Sequence, residues 1–273
     1  MRKTEKIRAI LDPSRPCAQE GERFIFPSGI ASARSTAAPG FMGKVQDLLK
    51  RFGGLYYVLL SCLSPVMPSA AYRRTLSAML GARGEDAVIL NLGSGPARLK
   101  GRQDVINVDI FPFAEADVVA DVKDVPLIDG CADLIVSVAS LEHVADPARV
   151  VAEMRRLLKP GGELFCFVPF MQPFHAAPAD FTRWTAPGCA GLFGAFDGVR
   201  VETAAGPTSG LLWVLQEWLA MTLSFGIAPL RDVLFLVLMT LTAPLKLLDL
   251  ALERLPQSRN IASGFFIVAS RKA

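Results

Sequence analysis

The stretch 88-VILNLGSGPARLKGRQDVINVD-109 decides the fold. It reads as a buried strand, a glycine turn and a second strand that ends in an acid. A dinucleotide fingerprint needs G-x-G-x-x-G, a helix whose N-terminus faces pyrophosphate, and an acid about 20 residues further on. Here the turn is Gly93-Ser94-Gly95-Pro96-Ala97-Arg98, with an arginine in place of the third glycine. Pro96 removes a backbone N–H where a phosphate needs one. About nine residues remain before the next strand, too few for a crossover helix of ordinary length. No Gly-Lys-Ser/Thr follows, so a P-loop is excluded as well.

Outward from this turn, residues 85–205 alternate strands with helices. Short runs rich in Val, Ile and Leu at 87–92, 104–108, 117–120, 132–138 and 163–168 have the character of buried parallel strands. The segment 146-DPARVVAEMRRLLKPGG-162 predicts a helix. Asp146 caps it, Pro147 suits its first turn, and Val150, Val151, Met154, Leu157 and Leu158 share one face. Pro160-Gly161-Gly162 stops it. Further strands are expected at 198–205 and 263–272. The class is α/β, a doubly wound and mostly parallel Rossmann-like sheet. Residues 1–40 read as a turn-rich arm with one strand near 23–26, and 41–84 as helices, of which 55–67 is almost wholly apolar. The sheet domain is expected over 85–206 and 261–273, with an apolar helical insertion at 207–260.

The charge balance, Lys+Arg 29 against Asp+Glu 26, gives +3 with no basic stripe, which excludes a nucleic-acid binder. The five cysteines Cys17, Cys62, Cys131, Cys166 and Cys189 stand far apart. They suggest neither a metal site nor a disulfide framework, and they fit a reducing cytosol. The N-terminal stretch has no apolar secretory core.

A nucleoside without a phosphate fits the turn better than a dinucleotide. S-adenosyl-L-methionine is such a cofactor: its methionyl part needs close backbone approach, which Gly93 and Gly95 allow. Its ribose hydroxyls need an acceptor at the next strand end, where Asp109 lies, and its adenine a polar contact one strand further, where Asp121 lies. The segments 90-LNLGSGP-96, 107-NVDI-110, 119-VADV-122, 133-DLIVSVASLEHVADP-147 and 154-MRRLLKPGGELFCFVP-169 together resemble a class I S-adenosylmethionine-dependent methyltransferase of the type 11 group. The resemblance covers Val88 to about Lys272. It implies a seven-stranded sheet whose final strand, 263-SGFFIVASRK-272, runs antiparallel between its neighbours. It also implies that Gly93, Ser94 and Gly95 approach the methionyl group, with Asn91 beneath it. Asp109 would bind ribose, Ile110 pack on adenine, Asp121 and Val122 meet the adenine edge, and Ser137 lie near the sulfonium. The N-terminal segment 9–34 resembles a Trm112-like module without its cysteine pairs, so no zinc is expected there.

The sulfonium is an activated methyl donor, so the protein has to align an acceptor, exclude water and take a proton where needed. The candidates are His143, His175 and Asp180. His143 follows the fourth strand and reads equally well as a cap or packing residue. His175 and Asp180 lie with Arg183 and Trp184 in a long loop after the fifth strand, where such sheets place their crevice. Asp180 and Arg183, three residues apart, also have the spacing of a pair that only shapes a lid. No H-E-x-x-H motif, Ser-His-Asp order or carboxylate cluster points to metal or hydrolytic chemistry.

In the insertion, 211–228 and 233–252 are more apolar than surface helices require. The uninterrupted run 233–245 corresponds to ~20 Å of helix, short of the ~30 Å hydrocarbon core. Interfacial helices or a re-entrant hairpin anchored by Trp213 and Trp218 are expected, with a lipid, lipid-linked glycan or amphipathic metabolite as substrate at the inner face of the membrane. The alternatives are a soluble small-molecule enzyme whose apolar helices form a lid or dimer interface, and a non-catalytic membrane-bound partner protein. The oligomeric state is left open.

Overall fold

The computed structural model describes residues 2–26, 63–96, 98–99, 101–176 and 179–273. The apolar helix expected at 44–68 lies outside the described residues except for 63–68.

The strands are β1 (Ala18–Glu20), β2 (Arg23–Ile25), β3 (Ile89–Leu92), β4 (Ile106–Asp109), β5 (Val118–Val119), β6 (Ala132–Val138), β7 (Leu158–Pro169), β8 (Asp197–Ala205) and β9 (Gly264–Ser270). They form one sheet in the order β1-β2-β5-β4-β3-β6-β7-β9-β8. The seven strands from β5 to β8 are the expected methyltransferase-type sheet. Its closing strand β9 is antiparallel to both β7 and β8, as the resemblance implied. The remaining pairs among β3 to β7 are parallel. Two strands of the N-terminal arm extend these seven, the one expected near 23–26 and the unexpected Ala18–Glu20. The β1–β2 hairpin adds to the edge of β5, with Phe24 and Ile25 paired in parallel to Val118 and Val119.

Each strand presents alternate residues to opposite faces. On β3, Leu90 and Leu92 meet α1 (Lys3–Ile10) and α3 (Pro147–Leu157) through Ile7, Val150, Met154 and Leu157. Ile89 meets the other face, where Met79 and Leu80 of α2 (Ala70–Gly81) pack with Leu134, Phe165 and Phe266. Tyr72 of α2 sets its ring edge-on to Phe165 at 5.1 Å and Phe266 at 5.8 Å. Asp146 caps α3 as read from sequence, accepting from the Arg149 N–H, and Ser69 caps α2 by accepting from the Tyr72 N–H. α4 (Ala186–Leu192) buries Cys189 beside Phe193.

Helix α1 and the hairpin tie the arm into the domain. Ile7, Ile10, Phe24 and Phe26 are all in the main core. Lys6 is buried, its ammonium donating to the carbonyls of Glu85 and Ala87. The arm therefore covers the sheet edge that a bare β5 would expose to pairing with another chain.

Between β8 and β9 the chain leaves the sheet. It rises along α5 (Pro207–Leu223), turns at 224–227 and returns along α6 (Ala228–Thr242), a 3-10 stretch (Ala243–Leu248) and α7 (Asp249–Leu252). Asp249 locks the root of this hairpin. Its two carboxylate oxygens accept from the Thr208 N–H at 2.7 Å and from the Ser209 N–H at 2.9 Å, the orphan donors of the first turn of α5. Further out the hairpin is unpartnered, with Trp218, Met221, Leu223, Phe225 and Ile227 all exposed and Phe225 88% accessible. The helical run Ala228–Leu252, 25 residues, is long and apolar enough to cross a membrane by length and composition. It exceeds the apolar run 233–245 because the helix begins at Ala228 and the 3-10 stretch and α7 carry it on to Leu252.

Candidate functional site

The site lies at the C-terminal ends of β3, β4, β6 and β7, where an open α/β sheet forms its crevice. Among the described residues no helix intervenes between β3 and β4, so no helix N-terminus faces the glycine turn. Gly93 and Gly95 adopt left-handed φ values of +68° and +60°. At Gly93 a Cβ would lie 2.0 Å from Ser140 Oγ, so glycine alone fits there. Ser140 comes that close because Ala139, at φ +52°, bends the chain back as it leaves β6. A non-glycine residue in that region stores roughly 1–3 kcal/mol of strain, as active sites often do.

Asp109 ends β4 and is almost fully buried. Its Oδ2 accepts from the Gly95 N–H at 2.7 Å and its Oδ1 from the Phe111 N–H at 2.9 Å. Burial pushes its pKa up, and the N–H bonds from Phe111, Gly95 and Ile110 oppose that. The acid thus bridges the glycine turn and the following loop, with a lone pair left on each oxygen. Ile110 is half-buried beside it, and the Ala120 N–H donates to the Asp109 carbonyl, which draws Asp121 and Val122 to the same edge. Asp121 is held by the Lys123 N–H at 2.9 Å, and Val122 is buried. The Ser94 hydroxyl donates to the adjacent Gly95 carbonyl, and its N–H donates to the Val108 carbonyl of β4.

Two of the expected cofactor contacts are engaged within the sheet. Asn91 is buried and donates to Asn107 Oδ1 at 3.0 Å, across the β3–β4 pair. Ser137 is buried and its hydroxyl donates to the Leu92 carbonyl at 3.0 Å. Both side chains hold the end of β3, the platform under the turn.

Opposite the turn, the two histidines meet. Their rings pack edge to face with centroids 5.4 Å apart. His143, in the 3-10 turn Leu141–His143, places Nδ1 2.6 Å from the Ala179 carbonyl. His175 places Nδ1 2.9 Å from the Pro173 carbonyl, and its ring lies 5.3 Å from that of Trp213 on α5. Asp180 accepts from the His175 N–H at 2.8 Å and receives both guanidinium nitrogens of Arg183. Arg183 holds the Asp180 carboxyl down to about 2. Asp180 is therefore a fixed anion that shapes the loop, and at neutral pH it has no proton to exchange. Sequence reading missed Glu142, which is 0% exposed and whose two carboxylate oxygens have no hydrogen-bond partner. Its Oε1 lies 3.9 Å from Nε2 of both histidines. The Glu142 side chain is the main influence raising the pKa of His175, against the effect of burial.

A separate open cleft of about 830 Å³, lined by residues such as Phe170, Ala186, Val201 and Arg259, contains none of these groups.

Residues 90–166 match the family described as "Methyltransferase domain". The chain is 34% identical over 97 residues to the ubiquinone/menaquinone biosynthesis C-methyltransferase of Acidiphilium cryptum, covering 36% of this chain and 35% of that protein. It is 34% identical over 98 residues to the ubiquinone biosynthesis O-methyltransferase of Hahella chejuensis, covering 33% and 37%. The chain thus spans about a third of the length of these curated relatives. Among solved structures, Haemonchus contortus phosphoethanolamine N-methyltransferase 2 in complex with S-adenosyl-L-methionine aligns over 76% of this chain and 54% of that one, at 14% identity and a TM-score of 0.47. The matched segment runs from β3 to β7 and includes the glycine turn, Asp109 and the Glu142-His143 pair. Residues 90–166 are thus similar to a methyltransferase domain, and that segment is the part of the chain that the match covers.

Proposed function

We propose that the protein is a membrane-associated methyltransferase. It would bind S-adenosyl-L-methionine on the Gly93–Gly95 turn and Asp109, and pass the methyl group directly to an amphipathic acceptor. The observation that carries this reading is the buried Asp109 carboxylate at the end of β4, joined to the glycine turn and still able to accept from two ribose hydroxyls. The acceptor would enter from the side of His143, His175 and Trp213. An in-line S–CH3···acceptor arrangement then needs only alignment and water exclusion.

The membrane part of the reading rests on the hairpin. Trp213 at its root touches His175, and its tip presents Met221, Leu223, Phe225 and Ile227 to solvent. A fully buried side chain of this kind is worth roughly 1.5–3 kcal/mol, so the half-exposed tip offers on the order of 5 kcal/mol to a lipid interface. Asp249 and the α5 root fix both ends of the hairpin to one side. That favours re-entrant or interfacial insertion over a single crossing. The free thiols of Cys17, Cys131, Cys166 and Cys189 are consistent with the cytoplasmic leaflet.

Two measurements test the reading. Calorimetric titration with S-adenosylhomocysteine should give saturable binding, and its absence sinks the enzyme reading. Flotation on anionic liposomes should carry the wild type upward. A monodisperse protein that ignores liposomes would make the hairpin a lid or dimer face instead.

A further inference from the structure

Glu142 is a problem that the methyl-transfer reading leaves unsolved. A fully buried carboxylate with no donor costs several kcal/mol, and such groups persist where something positive meets them. The guanidinium of Arg183 is bidentate with Asp180, and its Nη2 also lies 3.2 Å from His175 Nδ1. What faces Glu142 Oε1 is a pair of imidazole nitrogens, Nε2 of His143 and of His175, each 3.9 Å away. That is too long for a hydrogen bond. Each Nδ1 lies against a backbone carbonyl, Ala179 for His143 and Pro173 for His175. A carbonyl accepts only, so Nδ1 of His143 carries the proton and its Nε2 a lone pair; at His175 the carbonyl is the shorter contact of Nδ1, 2.9 Å against 3.2 Å to Arg183 Nη2, which favours the same tautomer. This is how proteins orient histidine ligands to a metal. The three donor atoms lie within 4.8 Å of one another. A tetrahedral ion with bonds of ~2.1 Å needs edges of roughly 3.4 Å, so the set has to close by about half an ångström on its short edges.

We propose that Glu142, His143 and His175 form a divalent-metal site of the zinc class, with a coordination position left open to an oxygen of the methyl acceptor. Two imidazoles and one carboxylate suit a first-row transition ion better than magnesium or calcium, which take oxygen. The site begins two residues after Ser140, which packs on Gly93, so it borders the methyl-donor pocket. Its role there rests on the methyltransferase reading above. The ion binds a hydroxyl of the acceptor and lowers its pKa, and the proton leaves to solvent water. The oxygen lone pair then forms the C–O bond as the S–CH3 bond breaks. The sulfur keeps that electron pair, and S-adenosylhomocysteine leaves with the methyl ether. This narrows the acceptor class to an oxygen nucleophile.

The test is a titration of the chelator-treated, full-length protein with Co²⁺ followed by visible absorption, and with Zn²⁺ by competition. One saturable equivalent is expected, weakened at least about tenfold in Glu142→Gln and in His175→Ala. Asp109→Ala should keep the metal and lose S-adenosylhomocysteine, and His175→Ala should do the reverse. No saturable equivalent in the wild type overturns the site, as does an affinity equal to the wild type's in both ligand variants. Should Glu142→Gln fail to fold, His175→Gln on the surface loop carries the same comparison. Loss of S-adenosylhomocysteine binding by the wild type would overturn the methyltransferase reading alone, because the metal titration does not depend on it.

Discussion

Asp109 pairs a cost to the fold with its proposed role as a ribose ligand. Because burial raises its pKa above the ordinary 3.8, the unliganded fold loses stability as pH rises through that raised value. In the proposed function the same ionised carboxylate accepts the ribose hydroxyls. Affinity for S-adenosylhomocysteine should therefore be flat near neutrality and fall on acidification sooner than a surface aspartate would dictate, as read by calorimetry from pH 7 downward. Hydrogen bonds to a charged group are worth about 1.5–3 kcal/mol each, so Asp109→Ala should weaken binding by about a hundredfold or more. Gly93 gives a second prediction at this scale. Gly93→Ala places a Cβ 2.0 Å from Ser140 Oγ at a left-handed φ, which should cost about 1–3 kcal/mol in thermal unfolding and lower cofactor affinity. Adding Ser140→Ala should not restore it, since Ser140 Cβ itself lies 2.6 Å from that position.

At the level of elements, the hairpin and the loop after β7 act through each other. The loop is held internally by Arg183, which spans Asp180 and the carbonyls of Gln172 and Pro173, and externally by the contact of His175 with Trp213. Insertion of the hairpin tip in a lipid interface would thus bring the acceptor loop to the membrane surface. The double variant Phe225→Glu/Ile227→Glu alters only exposed side chains, so its melting temperature should match wild type. Its liposome partitioning should drop by at least about tenfold, since each buried apolar side chain is worth ~1.5–3 kcal/mol. Unchanged flotation would place the contact elsewhere. Asp146→Ala, at the cap of α3, is the complementary control, costing about 1 kcal/mol of stability with flotation unaffected.

On the scale of the whole molecule, the N-terminal arm completes the sheet rather than forming a module beside it. Without residues 1–26, β5 becomes a bare edge strand and the core loses Ile7, Phe24 and Phe26. Such a truncation should aggregate or melt lower while retaining the residues of the cofactor turn, a result that size-exclusion chromatography and thermal unfolding would show. If the truncated chain stayed monodisperse with an unchanged melting temperature, the arm would be dispensable to the fold. The sequence hinted at the strand of Arg23–Ile25 through its aromatic and β-branched residues, but Ala18–Glu20 is polar and exposed throughout, so local pattern could not mark it.

The mostly parallel sheet, the cap of α3 and the glycine turn after β3 were legible in the sequence, because each depends on short-range spacing: apolar runs in strands, caps at helix ends, glycine where a Cβ cannot fit; the antiparallel direction of β9 came from the family resemblance alone. The sequence also placed the break in rhythm at 207–260. What polar side chains do was decided only in three dimensions. Asn91 and Ser137 turned out to brace β3, because their partners Asn107 and Leu92 lie on neighbouring strands. His143 and His175 are separated in the chain by a helix, a strand and a loop, and they meet only because β6 and β7 end side by side. Glu142 looked like an ordinary polar residue at a turn until the fold removed it from water. Spacing along the chain records local geometry, whereas burial and the direction of a lone pair depend on which distant elements close around the side chain.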